Sequence, residues 1–242
     1  MKTEDITYRD NAVSLSGFVA YDEKRIANET RLPGILIVHE AWGLGEHVIM
    51  RAKMLADLGY VGFAADMFGD RRTTTSREEA LALIGEMRGN PPKLRARARI
   101  ALDAMAALPY VDGTRLAAIG FCFGGSTALE LARDGATLSG VVSFHGALET
   151  KAPAKPGEVK PKVLVCHGAD DPMIPPPHVV AFEDEMRKAG ANWQVNSYGG
   201  TVHGFRNPKN DGSIAPGILY NAQSDARAWA AMQAFFAEIF AR

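Results

Sequence analysis

The sequence predicts an α/β protein, with a mostly parallel central sheet of about eight strands flanked by helices and no large cap domain. Three observations point there. Short apolar, β-branched runs alternate with helical patterns from one end of the chain to the other, the signature of a parallel sheet covered by helices. Five of those runs are of the continuously buried type that a two-sided helix cover produces. The 242 residues, 47% hydrophobic with a formal net charge of −1, are enough for a large core in one or two domains.

Taken in order, the first element is an antiparallel pair around Ile6 to Tyr8 and Val13 to Ala20, turning at Asp10-Asn11. Five buried runs follow: GILIVHE (34–40), VGFAADM (61–67), RLAAIGF (115–121), SGVVSFHG (139–146) and KVLVCHG (162–168). WQVNSY (193–198) is the last strand. Between them, Glu46 to Leu58 carries apolar residues at spacings of three and four and ends at Gly59, a helix C-cap signal. Ser76 to Met87 opens with SREE, a capping box in which Ser76 caps the helix and Glu79 reaches back. Asn90-Pro91-Pro92 separates it from a helix over Leu94 to Leu108. Gly124 to Arg133, Pro177 to Lys188 and Ser224 to Ala241 complete the helices. The Pro- and Lys-rich stretch 150–162 reads as an exposed loop, because VLVCHG resumes the strand pattern at once. One domain over residues 1–242 is therefore expected.

Composition narrows the function classes. There is no block of like charge and no basic stripe, which argues against a nucleic-acid partner. The N-terminus MKTEDITYRD is charged from the start, and no apolar run approaches the ~20 residues of a membrane span. Neither a signal peptide nor a membrane partner is expected. Two cysteines, Cys122 and Cys166, are too few for a disulfide framework or a cysteine-rich zinc site and fit a reducing cytoplasm. The histidines show no ligand spacing such as H-E-x-x-H, so neither a metal nor another cofactor is expected. No feature distinguishes a monomer from a homodimer.

The chemistry gathers around glycine-rich turns. RLAAIG runs straight into GFCFGG and then into the helical STALELA, the strand, turn and helix of a nucleophile elbow. Gly120 and Gly124, two positions either side of Cys122, let the backbones pass closely, and the helix N-terminus favours an anion there. Read by itself, the same heptapeptide also fits a small buried cysteine among packing glycines. It does not fit a dinucleotide-binding turn, since G-x-G-x-x-G is absent. A nucleophile needs a base, and the base an orienting carboxylate. HGADDPMIP places Asp170 and Asp171 just after a strand, and SYGGTVHGF places His203 after the last one. That is the order nucleophile, acid, histidine. His39, His145 and His167 stand at strand ends, where structural roles are expected, and His47 and His178 at helix starts or exposed loops.

With these residues in hand, the sequence resembles the dienelactone hydrolase family of α/β hydrolases, which uses cysteine as nucleophile. The resemblance runs over essentially the whole chain, through VHEAWGL, GYVGFAADMFG, GFCFGG, HGADDPMIP and HGF. The family pattern G-x-x-D-x-x-I/V-P falls on Gly168, Asp171, Ile174 and Pro175, which selects Asp171 over Asp170. The resemblance implies a triad of Cys122, Asp171 and His203, with Glu40 tuning the resting thiol and the amides of Ala41 and Phe123 holding the oxyanion. It also implies arginines that hold a substrate carboxylate. Arg77 aligns with the first; Arg206 follows the histidine by three residues where the family has four, a looser match. Trp42 and Phe205 are candidate substrate contacts, with Phe68 and Met173 near the mouth.

The expected function is hydrolysis of small carboxylic esters or lactones through a thioester. The sequence looks especially similar to promiscuous family members that act on aryl esters and organophosphate triesters, so a phosphotriester is the alternative substrate. A non-enzymatic binding protein on the same scaffold is the alternative of another class.

Overall fold

A computed structural model describes residues 1–29 and 31–241. Its eight strands form one sheet in the order β1-β2-β4-β3-β5-β6-β7-β8, where the labels follow the chain and are defined below. Backbone contacts divide the chain into two compact units, Met1–Ile119 and Gly120–Arg242.

In the first unit, β1 (Lys2–Asp10) and β2 (Val13–Tyr21) pair antiparallel from Asp10↔Val13 to Lys2↔Tyr21. The tight turn is made by Asn11, whose φ of 53° is one that Asn tolerates better than most residues. A short helix, α1 (Glu23–Glu29), follows where the sequence reading has no element. Asp22 starts it by accepting the Lys24 N–H. β3 (Leu32–Val38), buried throughout, runs parallel to β4 (Val61–Ala65), and β4 pairs antiparallel with β2. α2 (Glu46–Asp57) packs on β2, β3 and β4 through Val48, Ala52, Leu55 and Ala56. Its approach to β4 depends on Gly62: a Cβ there would stand 2.6 Å from the Ala52 carbonyl oxygen.

Two helix starts differ from expectation. α3 (Arg77–Gly89) is capped by Ser76, whose hydroxyl accepts the Glu79 N–H. Glu79 itself does not reach back; its carboxylate takes hydrogen bonds from Arg72 and Thr74, and Thr74 Oγ1 accepts the Ser76 N–H instead. A charged guanidinium is a stronger partner than a neutral amide, which accounts for the exchange. α4 (Pro91–Ala106) begins earlier than the periodic pattern suggests, with Asn90 as N-cap and both prolines in the first turn. Proline fits there because the first-turn N–H groups have no helical acceptor. β5 (Val111–Phe121) then carries the chain across the boundary between the units.

The second unit continues with α5 (Phe123–Arg133), a helix buried at every position that packs on β6 (Gly140–Phe144). β6, β7 (Lys162–Gly168) and β8 (Trp193–Tyr198) are parallel neighbours, so the Pro- and Lys-rich stretch after β6 is the connection between adjacent strands. α6 (Pro176–Ala189) ends at Gly190 in the left-handed conformation, and α7 (Ala222–Ile239) packs on β6 and β7. Among the described residues, no helix is long and apolar enough to cross a membrane.

Candidate active site

Cys122 stands at the end of β5 and caps α5 with φ 54° and ψ −113°, a conformation that ordinary side chains rarely adopt. Its N–H holds it there, donating to the Phe144 carbonyl at 3.0 Å and to His145 Nδ1 at 3.1 Å. The sharpness of the turn explains Gly120: a Cβ there would lie 1.9 Å from the Gly124 carbonyl oxygen. Gly125 and Gly146 admit the helix against β6 in the same way, since a Cβ on Gly146 would come within 2.6 Å of the Ser126 nitrogen.

Asp171 and His203 come together. His203 Nδ1 lies 2.7 Å from Asp171 Oδ2, and both groups are buried. Asp171 is fixed from its own turn, where Oδ1 accepts the Met173 N–H at 2.8 Å. Asp170, one residue earlier, is exposed and points its amide to the Thr201 carbonyl. Of the two aspartates, Asp171 is the one that the structure places beside His203. His203 is held by its backbone, donating to the Gly217 carbonyl and accepting from the Leu219 amide, and Gly204 turns the chain with φ 67°. With Nδ1 committed to Asp171, Nε2 is the nitrogen left for Cys122. Burial alone would depress the imidazole, but the charges of Cys122 and Asp171 outweigh it and raise His203 to about 10. The other cysteine contrasts with this, since Cys166 is fully buried in β7 and burial pushes its thiol up to about 11.

Glu40, in the first unit, is buried and not a surface carboxylate. His39 positions its backbone: Nδ1 donates to the Glu40 carbonyl and Nε2 accepts the Met67 amide, which ties the end of β3 to that of β4. The Glu40 side chain lies 3.3 Å from His47 Nδ1, and Arg51 Nε donates to His47 Nε2 at 3.2 Å. The sequence reading assigned nothing to His47 or Arg51. Their spacing of four on α2 was the signal, since it puts them on one helix face. Ala41 and Trp42 are half-buried just beyond, and the Trp42 carbonyl accepts the Thr74 amide. Phe123 is buried at the first position of α5.

The two arginines part company. Arg77 is exposed at the start of α3. Arg206 is wholly buried, its Nε 2.6 Å from Asp225 Oδ1 and its guanidinium over the rings of Phe144 at 4.1 Å and Trp229 at 5.1 Å. Packing and charge pairing occupy it in the core, so the structure corrects its expected place in a substrate clamp. Phe205 is corrected likewise: fully buried between His145 and Tyr198, it is a core ring and not a residue of the mouth. Met173 is exposed and Phe68 half-buried. His145, read as structural, touches both the Cys122 backbone and the His203 ring. Among the described residues, no group of three or more His, Cys, Asp or Glu is arranged to hold a metal ion.

The chain is similar to known proteins along nearly its whole length. The model of the dienelactone hydrolase family matches residues 17–240. The solved structure of m3DLH is similar at 40% identity and TM-score 0.93, covering 99% of both chains. So is a dienelactone hydrolase-like promiscuous phosphotriesterase, P91 from metagenomic libraries, at 40% identity and TM-score 0.90 over 98% of both. A putative carboxymethylenebutenolidase of Methylorubrum extorquens is 30% identical over 190 residues, 72% of this chain and 63% of that one. A match over nearly its full length, on the same open eight-stranded α/β sheet, makes this chain a member of the dienelactone hydrolase family of α/β hydrolases.

Proposed function

We propose that the protein hydrolyses small carboxylic esters or lactones through a Cys122, His203, Asp171 triad, working as one domain. The observation that carries this is the buried His203 and Asp171 pair beside a cysteine held at positive φ on a strand-to-helix turn. In the resting enzyme the Cys122 thiolate faces the His203 imidazolium. Sulfur attacks the ester carbonyl, and the C=O electrons move onto oxygen. The tetrahedral species collapses, the C–O bond breaks, and the departing alkoxide takes the proton from His203 Nε2; in a lactone it stays tethered. His203, now neutral, removes a proton from water as that water attacks the thioester, and the second collapse returns the thiolate and frees the acid. Asp171 keeps the imidazole in the tautomer both steps need.

The family pattern supports three further assignments. The amides of Ala41 and Phe123 donate to the oxyanion, where one donor is worth ~3 kcal/mol of transition-state stabilisation. Glu40 tunes the thiol before substrate arrives, and its buried position beside His47 fits a carboxylate kept for a purpose. Arg77, exposed and on a helix start, is the arginine left to meet an anionic substrate group, and Trp42 is a candidate substrate contact. Replacing Cys122 with Ala should lower kcat/KM on aryl esters by about three orders of magnitude or more. Undiminished activity in that variant overturns the reading.

A second reading of the same site is supported by its similarity to P91. A phosphotriester also asks for a nucleophile, a base and an anion hole, with phosphorus in place of the carbonyl carbon. Attack by Cys122 expels the aryloxide and leaves a thiophosphoryl-enzyme that water must then cleave. Mass spectrometry after mixing with paraoxon would reveal an adduct on Cys122, and release of the phosphodiester separates turnover from inactivation.

A further inference from the structure

We infer that His145 is a positioning residue for this reaction, holding the backbone of the nucleophile and the ring of the base at once. The inference rests on the reading of Cys122 as nucleophile given above. Both contacts lie within the second unit. His145 follows β6, is 1% exposed, and sits at φ 41°. Its Nδ1 accepts the Cys122 N–H at 3.1 Å, so Nδ1 is unprotonated and the ring proton is on Nε2. Its ring meets that of His203 edge to face, with centroids 5.1 Å apart at 68°, and is backed by Phe205 at 5.3 Å and 71°. Its own N–H is fixed to the Cys166 carbonyl of β7 at 2.9 Å.

The backbone strain has the same address. Among the described residues, five non-glycine residues have positive φ, and two of them, Cys122 and His145, are hydrogen-bonded to each other across the ends of β5 and β6. Strained residues persist only where neighbours over-determine them, and here each helps to hold the other. The Phe144 carbonyl alone satisfies the Cys122 N–H, so a second acceptor is not needed to avoid an orphaned donor. What the imidazole adds is direction: the amide is aimed between two acceptors, which limits rotation of the elbow. The ring edge at the same time limits tilt of His203. Asparagine is the informative replacement, because its Oδ1 stands where Nδ1 does and it accepts positive φ, yet it has no ring. Glycine also accepts the backbone conformation and removes both contacts.

The test compares wild type, His145→Gly and His145→Asn by the iodoacetamide alkylation rate of Cys122, read by peptide mass, and by kcat and KM on an aryl ester. The folded state of each is checked by thermal melting. His145→Gly should lose about tenfold in alkylation rate and in kcat, the size expected for one hydrogen bond, with KM within about twofold. His145→Asn should recover to within about threefold of wild type, because the acceptor is restored. Unchanged rates in His145→Gly, or equal loss in both variants, overturn the inference while leaving the nucleophile reading standing. If wild-type Cys122 alkylates no faster than Cys166, the nucleophile reading fails and the inference with it.

Discussion

Replacing Arg206 separates a core ion pair from a substrate clamp. In Arg206→Met the apolar stem is kept, and what disappears is the charge that faces Asp225 at 2.6 Å and stacks on Phe144 and Trp229. Breaking a buried pair from one side costs ~3–5 kcal/mol because the surviving charge is stranded. Asp225 keeps 14% side-chain exposure and lies 3.4 Å from the Tyr220 hydroxyl, so some hydration remains and the low end, ~3 kcal/mol, is expected. For a chain of this size, each kcal/mol shifts Tm by about 2–4 °C, which gives a fall of roughly 6–12 °C. Removing the stranded charge in the double variant Arg206→Met, Asp225→Asn should return part of it, so that the two losses are not additive. The assay is thermal melting of wild type, Arg206→Met, Asp225→Asn and the double variant, together with KM on a neutral aryl ester and on one that carries a carboxylate. The core reading expects the Tm loss with no selective rise of KM for the anionic ester. A Tm within about 1 °C of wild type, combined with such a selective rise, would refute it.

Further outcomes test the site and its frame. Titration of His203, followed by NMR of labelled histidine, should show an alkaline transition near 10, and Cys122→Ser or Asp171→Asn should lower it by removing a charge that holds the proton. Since that folded value lies above the ordinary 6.5, the protonation stabilises the fold fully below pH 6.5 and the contribution is lost as pH rises toward 10. At neutral pH, iodoacetamide should label Cys122 at least about a hundredfold faster than Cys166, whose thiol is buried and held protonated. Comparable labelling counts against an activated thiolate. Gly120→Ala should fail to fold or lose at least ~3 kcal/mol, because its methyl would overlap the Gly124 carbonyl and backbone cannot step aside as a side chain can.

Much of this was legible because regular elements repeat. β7 was read at its observed limits, since a buried parallel strand is a continuous apolar run closed by turn residues, and so was the part-exposed β8. The short α1 was not, because seven mostly charged residues show no apolar face to count. At the start of α3 the local pattern was right for Ser76 and wrong for Glu79, whose Arg72 and Thr74 partners come from the preceding loop. The candidate triad rests on chain order, since each member follows a strand, and on the family pattern that points to Asp171 over Asp170.

The sequence by itself determined the alternation of strands and helices and the strand-to-helix turn at Cys122, each written in residues close together in the chain. Only the tertiary structure decided which way irregular segments face. Arg206 and Phe205 lie in a loop without period, so nothing local tells core from cleft; Asp225, Trp229 and Phe144 bury the first, and His145 and Tyr198 flank the second. His145 was hidden for the same reason. Its meaning lies in a backbone amide 23 residues away and a ring farther still, contacts that exist only once the strands have been laid side by side.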